Sequence, residues 1–244
     1  MHKSKGFRKF NSRLDSFEED IELTDIFCRN MDKITHENPD VIFDGVNQYH
    51  PKLKRRNSSN HNRILVSSHL KHTLYVSVIK EIYEELMIYL GYVLDCGSLT
   101  MEEPNRLVGN TQGVKFMANE ILSLNTKEEI YGRVMSEIFR NLESARDTLS
   151  LIREINKRLD LGVSNEIIDA AMPYLDSRHA FVHADGLADD MFKRKYPNVA
   201  LEDNGKIKLD KKIMKKVFSS VLKLVNEVEK KMSEKRYFPE AQYR

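Results

Sequence analysis

LKHTLYVSVIKEIYEELMIYLGYV, Leu70 to Val93, sets Tyr75, Ile79, Ile82, Leu86, Leu90 and Val93 three or four residues apart with charged residues between them. Apolar side chains at that interval share one stripe of a helix, whereas a strand would alternate them. The stretch predicts a long helix from Leu70, ending near Gly91 to Gly97. The same period recurs downstream. A second stripe opens at Thr126-Lys-Glu-Glu, a capping-box arrangement. It runs through Ile130, Val134, Ile138, Leu142, Ala145, Leu149 and Ile152 to an expected end near Leu161 and Gly162. A last stripe joins Ile213, Val217, Val221, Leu224, Val228 and Met232.

Between these stripes the punctuation is local. Residues 98–126 hold Pro104, Gly109 and Gly113, read as turns, with a short helix expected over Val114 to Leu122. Ser164 is placed to cap a helix over Asn165 to Met172. Pro173 either kinks that helix or begins a fresh one, which carries the chain to a stop at Gly186. EDNGKIKLD, Glu202 to Asp210, reads as a turn between short extended pieces. Long helices of this kind bury their faces most economically by antiparallel packing, so the expected fold class is an all-α helical bundle. No internal repeat is visible.

Composition agrees with that class. The 244 residues are 41% hydrophobic and 31% charged, with only 10 Gly, 6 Pro and no Trp, too few turn formers for a sandwich or barrel. A formal net charge of +2 excludes nucleic-acid binding by bulk electrostatics and leaves it to local clusters. Cys28 and Cys96 cannot build a disulfide framework and lack CxxC spacing, which points to a reducing, cytoplasmic setting without structural zinc. The basic opening MHKSKGFRKFNSR leads into no apolar signal core. Ile64 to Leu94, the most hydrophobic region, is interrupted by Lys71, Lys80, Glu81, Glu84 and Glu85, so neither secretion nor a membrane span is expected.

Residues 1–62 differ from the rest. They are polar and charged, with apolar islands at Ile21 to Phe27 and Val41 to Val46, and close on HPKLKRRNSSNHNR, His50 to Arg63. They read as an N-terminal arm ending in a linker or basic contact strip, with the bundle over 63–244.

The chemistry-bearing segment is SRHAFVHADG, Ser177 to Gly186. On a helix His179 and His183 share a face, and Arg178 lies roughly 140° around the axis from His183. Leu175, Phe181 and Val182 are the expected anchors. Three plainer arrangements compete. Arg178 could pair with Asp176 or Asp185 on a solvated face, the histidines being surface residues. His179 and His183 could hold zinc with Asp185, Asp189 or Asp190, but Ala180 stands where an HExxH base would be. Arg56 and His61 repeat the Arg-to-His spacing in a Ser/Asn run without apolar support. GxxxxGK[ST], GxGxxG and GxSxG are all missing, and His69 and His72 have no ligand set around them.

Arg178, His179 and His183 resemble the R-x4-6-H signature of the HEPN superfamily, in the form Arg, a polar residue, three residues, His. The order of helices from about Arg63 to Lys235 is similar to the family's bundle, in which this motif precedes the final helix. The resemblance implies a metal-independent endoribonuclease that needs no cofactor and cuts single-stranded RNA as a homodimer, two motif helices sharing one cleft. It implies His183 as acid/base, Arg178 as phosphate clamp and His179 in support. Imidazole titrates near neutrality, and guanidinium grips phosphate while staying charged, as that chemistry requires. Toxin-antitoxin and anti-phage defence systems are the implied settings. The arm is a candidate contact for an antitoxin or other regulatory partner. Asp185 stands where HEPN toxins paired with a nucleotidyltransferase carry a modified Tyr, which points away from that scheme. The competing class is a non-catalytic HEPN-like module for dimerisation or for RNA or partner binding.

Overall fold

The computed structural model describes residues 3–37, 50, 52–53, 59–100, 115–145 and 147–243. The Val41 to Val46 island, the stretch holding Pro104, Gly109 and Gly113, and Arg56 lie outside the described residues. The described residues are all-α, with two isolated antiparallel bridges, Leu187 to Lys206 and Leu201 to Ile207, which draw Lys206 and Ile207 of the Glu202 to Asp210 stretch into short extended pairings around its turn. None of the described helices is long and apolar enough to cross a membrane. The chain divides into two compact units, Met1–Arg13 with Glu81–Arg244, and Leu14–Lys80, rather than at residue 62.

The N-terminal segment is mostly a helix, which corrects its reading as a polar arm. Helix α1 spans Lys5–Glu37. Its stripe Phe7, Phe10, Leu14, Phe17 and Ile21 is buried, at the same three- and four-residue spacing read elsewhere. In the smaller unit, Leu14, Phe17, Ile21 and Cys28 of α1 are buried, as are Tyr75, Val78 and Ile79 of α2 (Asn60–Thr100). Asp25, 5% exposed, is balanced there by Lys71 at 2.6 Å and Arg29 at 2.8 Å.

The larger unit is a helical bundle. Ile82, Leu86, Leu90, Val93 and Leu94 of α2 are at most 1% exposed, so the stripe read from sequence is the buried one. Gly91 and Gly97 do not end the helix as expected. A Cβ at Gly97 would lie 2.4 Å from Leu159 Cδ2, so glycine serves the close approach of a fully buried leucine. Helix α3 covers Ala118–Leu122, within the expected span. Helix α4 (Lys127–Ala145) opens on the expected Thr126 cap, Glu129 N donating to Thr126 Oγ1 at 3.1 Å, while the Glu129 carboxylate reaches back one residue further than in a capping box and accepts from Asn125 N at 2.7 Å.

The second stripe is not one helix. Asp147 breaks it by capping α5 (Thr148–Arg158), its carboxylate accepting from Ser150 N at 3.2 Å and Ser150 Oγ at 2.9 Å. Ile138 and Ile152 are buried on either side, so the period survives a break that it cannot reveal. Helix α6 (Asn165–His183) continues through Pro173 as one element, with no fresh helix starting there, and packs against α5 and α8 (Lys211–Glu234). It stops as expected: Ala184 N and Gly186 N both bond Ala180 O at 2.9 Å, with Asp185 at φ 49° and Gly186 at φ 79°. A short α7, Asp190–Lys195, follows. On α8, Val217, Val221, Leu224, Val228 and Met232 are buried as read. So is Glu229, whose carboxylate accepts from Ser4 N at 2.5 Å, Ser4 Oγ at 2.9 Å and Tyr89 OH at 3.0 Å.

Candidate functional site

The last two turns of α6 carry the motif. Leu175 and Phe181 are buried and fix the helix against the bundle, whereas Val182, expected to anchor it too, is 42% exposed. This rotation leaves His179 and His183 in solvent with ring centroids 4.7 Å apart and planes 49° apart. His183 occupies the final helical turn.

Arg178 takes neither carboxylate that the sequence offered it. Asp176 receives Lys195 at 2.8 Å and the Tyr196 hydroxyl, and Asp185 receives Lys206. The Arg178 guanidinium instead lies 4.4 Å over the Tyr83 ring, and its Nη2 donates to Glu84 Oε1 at 3.1 Å. Its Nε is buried without a hydrogen-bond partner among the described residues. A guanidinium stacked on a ring and paired through Nη2 alone keeps other N–H groups for a further acceptor.

Arg178 and His179 line a cleft of about 470 Å³; His183 is not among its lining residues and meets it only through the His179 ring. Tyr83 closes one side and Phe192, Lys195 and Tyr196 another, with Asp147 and Asp176 contributing carboxylates. Burial, followed by the hydrogen bond to Asp176, pushes the Tyr196 hydroxyl far above its ordinary pKa and keeps it a donor.

The zinc arrangement finds no support in geometry. Asp185 is paired with Lys206, and Asp189 caps α7 by accepting from Phe192 N at 2.7 Å. Among the described residues no group of three His, Cys, Asp or Glu could hold a metal. Tyr83 and Glu84 were not legible as site residues, being far upstream on the helix that carries the first long stripe. Their only signal is that both fall off its apolar positions. No family model matches the chain, and no significant match was found among curated proteins or solved structures.

Proposed function

We propose that the C-terminal end of α6 is a metal-independent endoribonuclease centre of HEPN type. The observation that carries this reading is the pairing of two exposed, touching imidazoles with an adjacent arginine held on an aromatic ring. In the reaction His183 takes the proton of a ribose 2′-OH, and the 2′-oxygen attacks the neighbouring phosphorus. The P–O5′ bond breaks, and the leaving oxygen takes a proton from an imidazolium. The products are a 2′,3′-cyclic phosphate and a 5′-hydroxyl. Arg178 grips the non-bridging oxygens as charge builds on them, and His179 orients His183 from one turn away.

One helix supplies a single arginine and two histidines, a sparse site. The active form in this reading is a homodimer in which two α6 ends share one cleft on single-stranded RNA, whose backbone reaches the in-line geometry a duplex resists. Its settings are toxin-antitoxin or anti-phage defence systems. The exposed row Leu23, Ile26 and Phe27 on α1 is then the contact for an antitoxin or regulatory partner.

The engagement of Arg178 by Glu84 favours a second reading, a non-catalytic module that binds RNA or a partner through the same face. Variants separate the two. In the nuclease, His183→Ala and Arg178→Ala each lower cleavage by about 10²- to 10⁴-fold with the thermal midpoint unchanged. A binding module has no cleavage to lose, and only Arg178→Ala weakens its RNA affinity.

A further inference from the structure

The cleft beside Arg178 has no role in the proton transfers above, yet its volume of about 470 Å³ lies within the range of small-ligand sites. Its aromatic wall is the pair Phe192 and Tyr196, in edge contact at 5.1 Å between centroids. Leu187 and Met191, also lining it, are 48% and 69% exposed, a large apolar exposure for residues bordering a cavity.

Its polar lining sets three carboxylates beside two cations, a His and three hydroxyls. Asp147, Asp176 and Asp189 line it, and its two fixed cations are already engaged, Lys195 with Asp176 at 2.8 Å and Arg178 with Glu84 at 3.1 Å. Lys195 and Tyr196 both bond Oδ2 of Asp176, leaving Oδ1 open among the described residues; Asp189 uses Oδ1 for its cap. With the phosphate left to Arg178 at the edge of the cleft, the carboxylate side of this wall suits a flat, uncharged ring with adjacent N–H donors. Among nucleobases the Watson–Crick edge of guanine offers two neighbouring donors, N1–H and N2–H. Uracil offers one between two carbonyls, and adenine and cytosine set an amino group beside an acceptor.

We propose that this cleft is a nucleobase subsite that takes a guanine splayed out beside the cleaved phosphate, its ring against Phe192 and Tyr196 and its donor edge on Asp176. The subsite rests on the nuclease reading for its place beside the scissile bond. Base-on-aromatic contact supplies affinity, and the carboxylate supplies discrimination.

The test titrates the full chain with guanosine, adenosine, cytidine and uridine monophosphates, following the Met191 methyl resonance, and maps cleavage on RNA of mixed sequence. Guanosine monophosphate should shift that resonance and bind about ten- to a hundred-fold more tightly than the uridine compound. Asp176→Asn and Phe192→Ala should each lose that preference with the thermal midpoint retained, and RNA cuts should fall beside G. Equal binding of all four, no response at Met191, preference for another base, or cleavage without base preference would overturn the subsite. Guanosine-selective binding without any RNA cleavage would support the subsite and remove the nuclease reading.

Discussion

Arg178 is held from two sides, by the Tyr83 ring beneath its guanidinium and by Glu84 at 3.1 Å, and an incoming phosphate must compete with the second. Glu84 is 56% exposed at its side chain, so this ion pair is of the weak, solvent-screened kind. Glu84→Gln keeps the stacking and removes the competing charge. RNA affinity, measured by filter binding in EDTA, should rise by up to about five-fold; a fall would mean that Glu84 orients Arg178 rather than rivals it. At this scale the sequence was partly legible. Arg178, His179 and His183 were readable because they are contiguous, and helical spacing alone puts the two histidines on one face. Glu84 is 94 residues away from Arg178, and no local pattern announces such a pair.

Periodicity made most helices legible and misplaced some of their ends. It carried the second stripe across Asp147 because a short interruption leaves the apolar positions nearly in phase. The capping residue, rather than the stripe, marks the break between α4 and α5. Asp147→Ala should cost about 1 kcal/mol in urea unfolding at neutral pH. Burial opposes the Asp147 charge, but the hydrogen bonds from Ser150 outweigh it and hold the carboxyl below the ordinary carboxylate range. A carboxyl lowered on folding stabilises above its unfolded value, near 3.9, and that contribution disappears as pH falls through the lower folded value. The gap between wild type and Asp147→Ala should therefore narrow below about pH 4; a gap that stays constant there would remove the ionised cap as its source. α1 was missed for the opposite reason. Its stripe Phe7, Phe10, Leu14, Phe17 and Ile21 has the right spacing, but single apolar residues set among Lys, Arg and Glu form no contiguous apolar island before Ile21.

Across the whole molecule, the buried stripe of α1 changes how the N-terminal segment can be probed. Deleting residues 1–62 would remove the buried side chains of Phe7 and Phe10 from the larger unit and of Leu14, Phe17 and Ile21 from the smaller one. A partner role is better approached through Leu23, Ile26 and Phe27, which can be changed to Ser at the surface. Within the larger unit the start of α1 is tied down by Glu229, which no pattern in the last stripe foretold because a carboxylate at a buried position breaks the apolar rule. It accepts from Ser4 and Tyr89 with no exposure to water. Glu229→Ala strands those buried donors and should cost about 2–4 kcal/mol in denaturant melts. A loss below about 0.5 kcal/mol would show that the first residues of the chain are not held there.

The nuclease claim meets its most direct measurement in purified wild-type protein incubated with end-labelled single-stranded RNA in EDTA, with the product termini analysed. Fragments ending in 2′,3′-cyclic phosphate and beginning with 5′-hydroxyl, made by wild type and lost with His183→Ala, are the expected result. Intact RNA from a folded, dimeric protein, or cleavage that appears only when a divalent metal is restored, would contradict it.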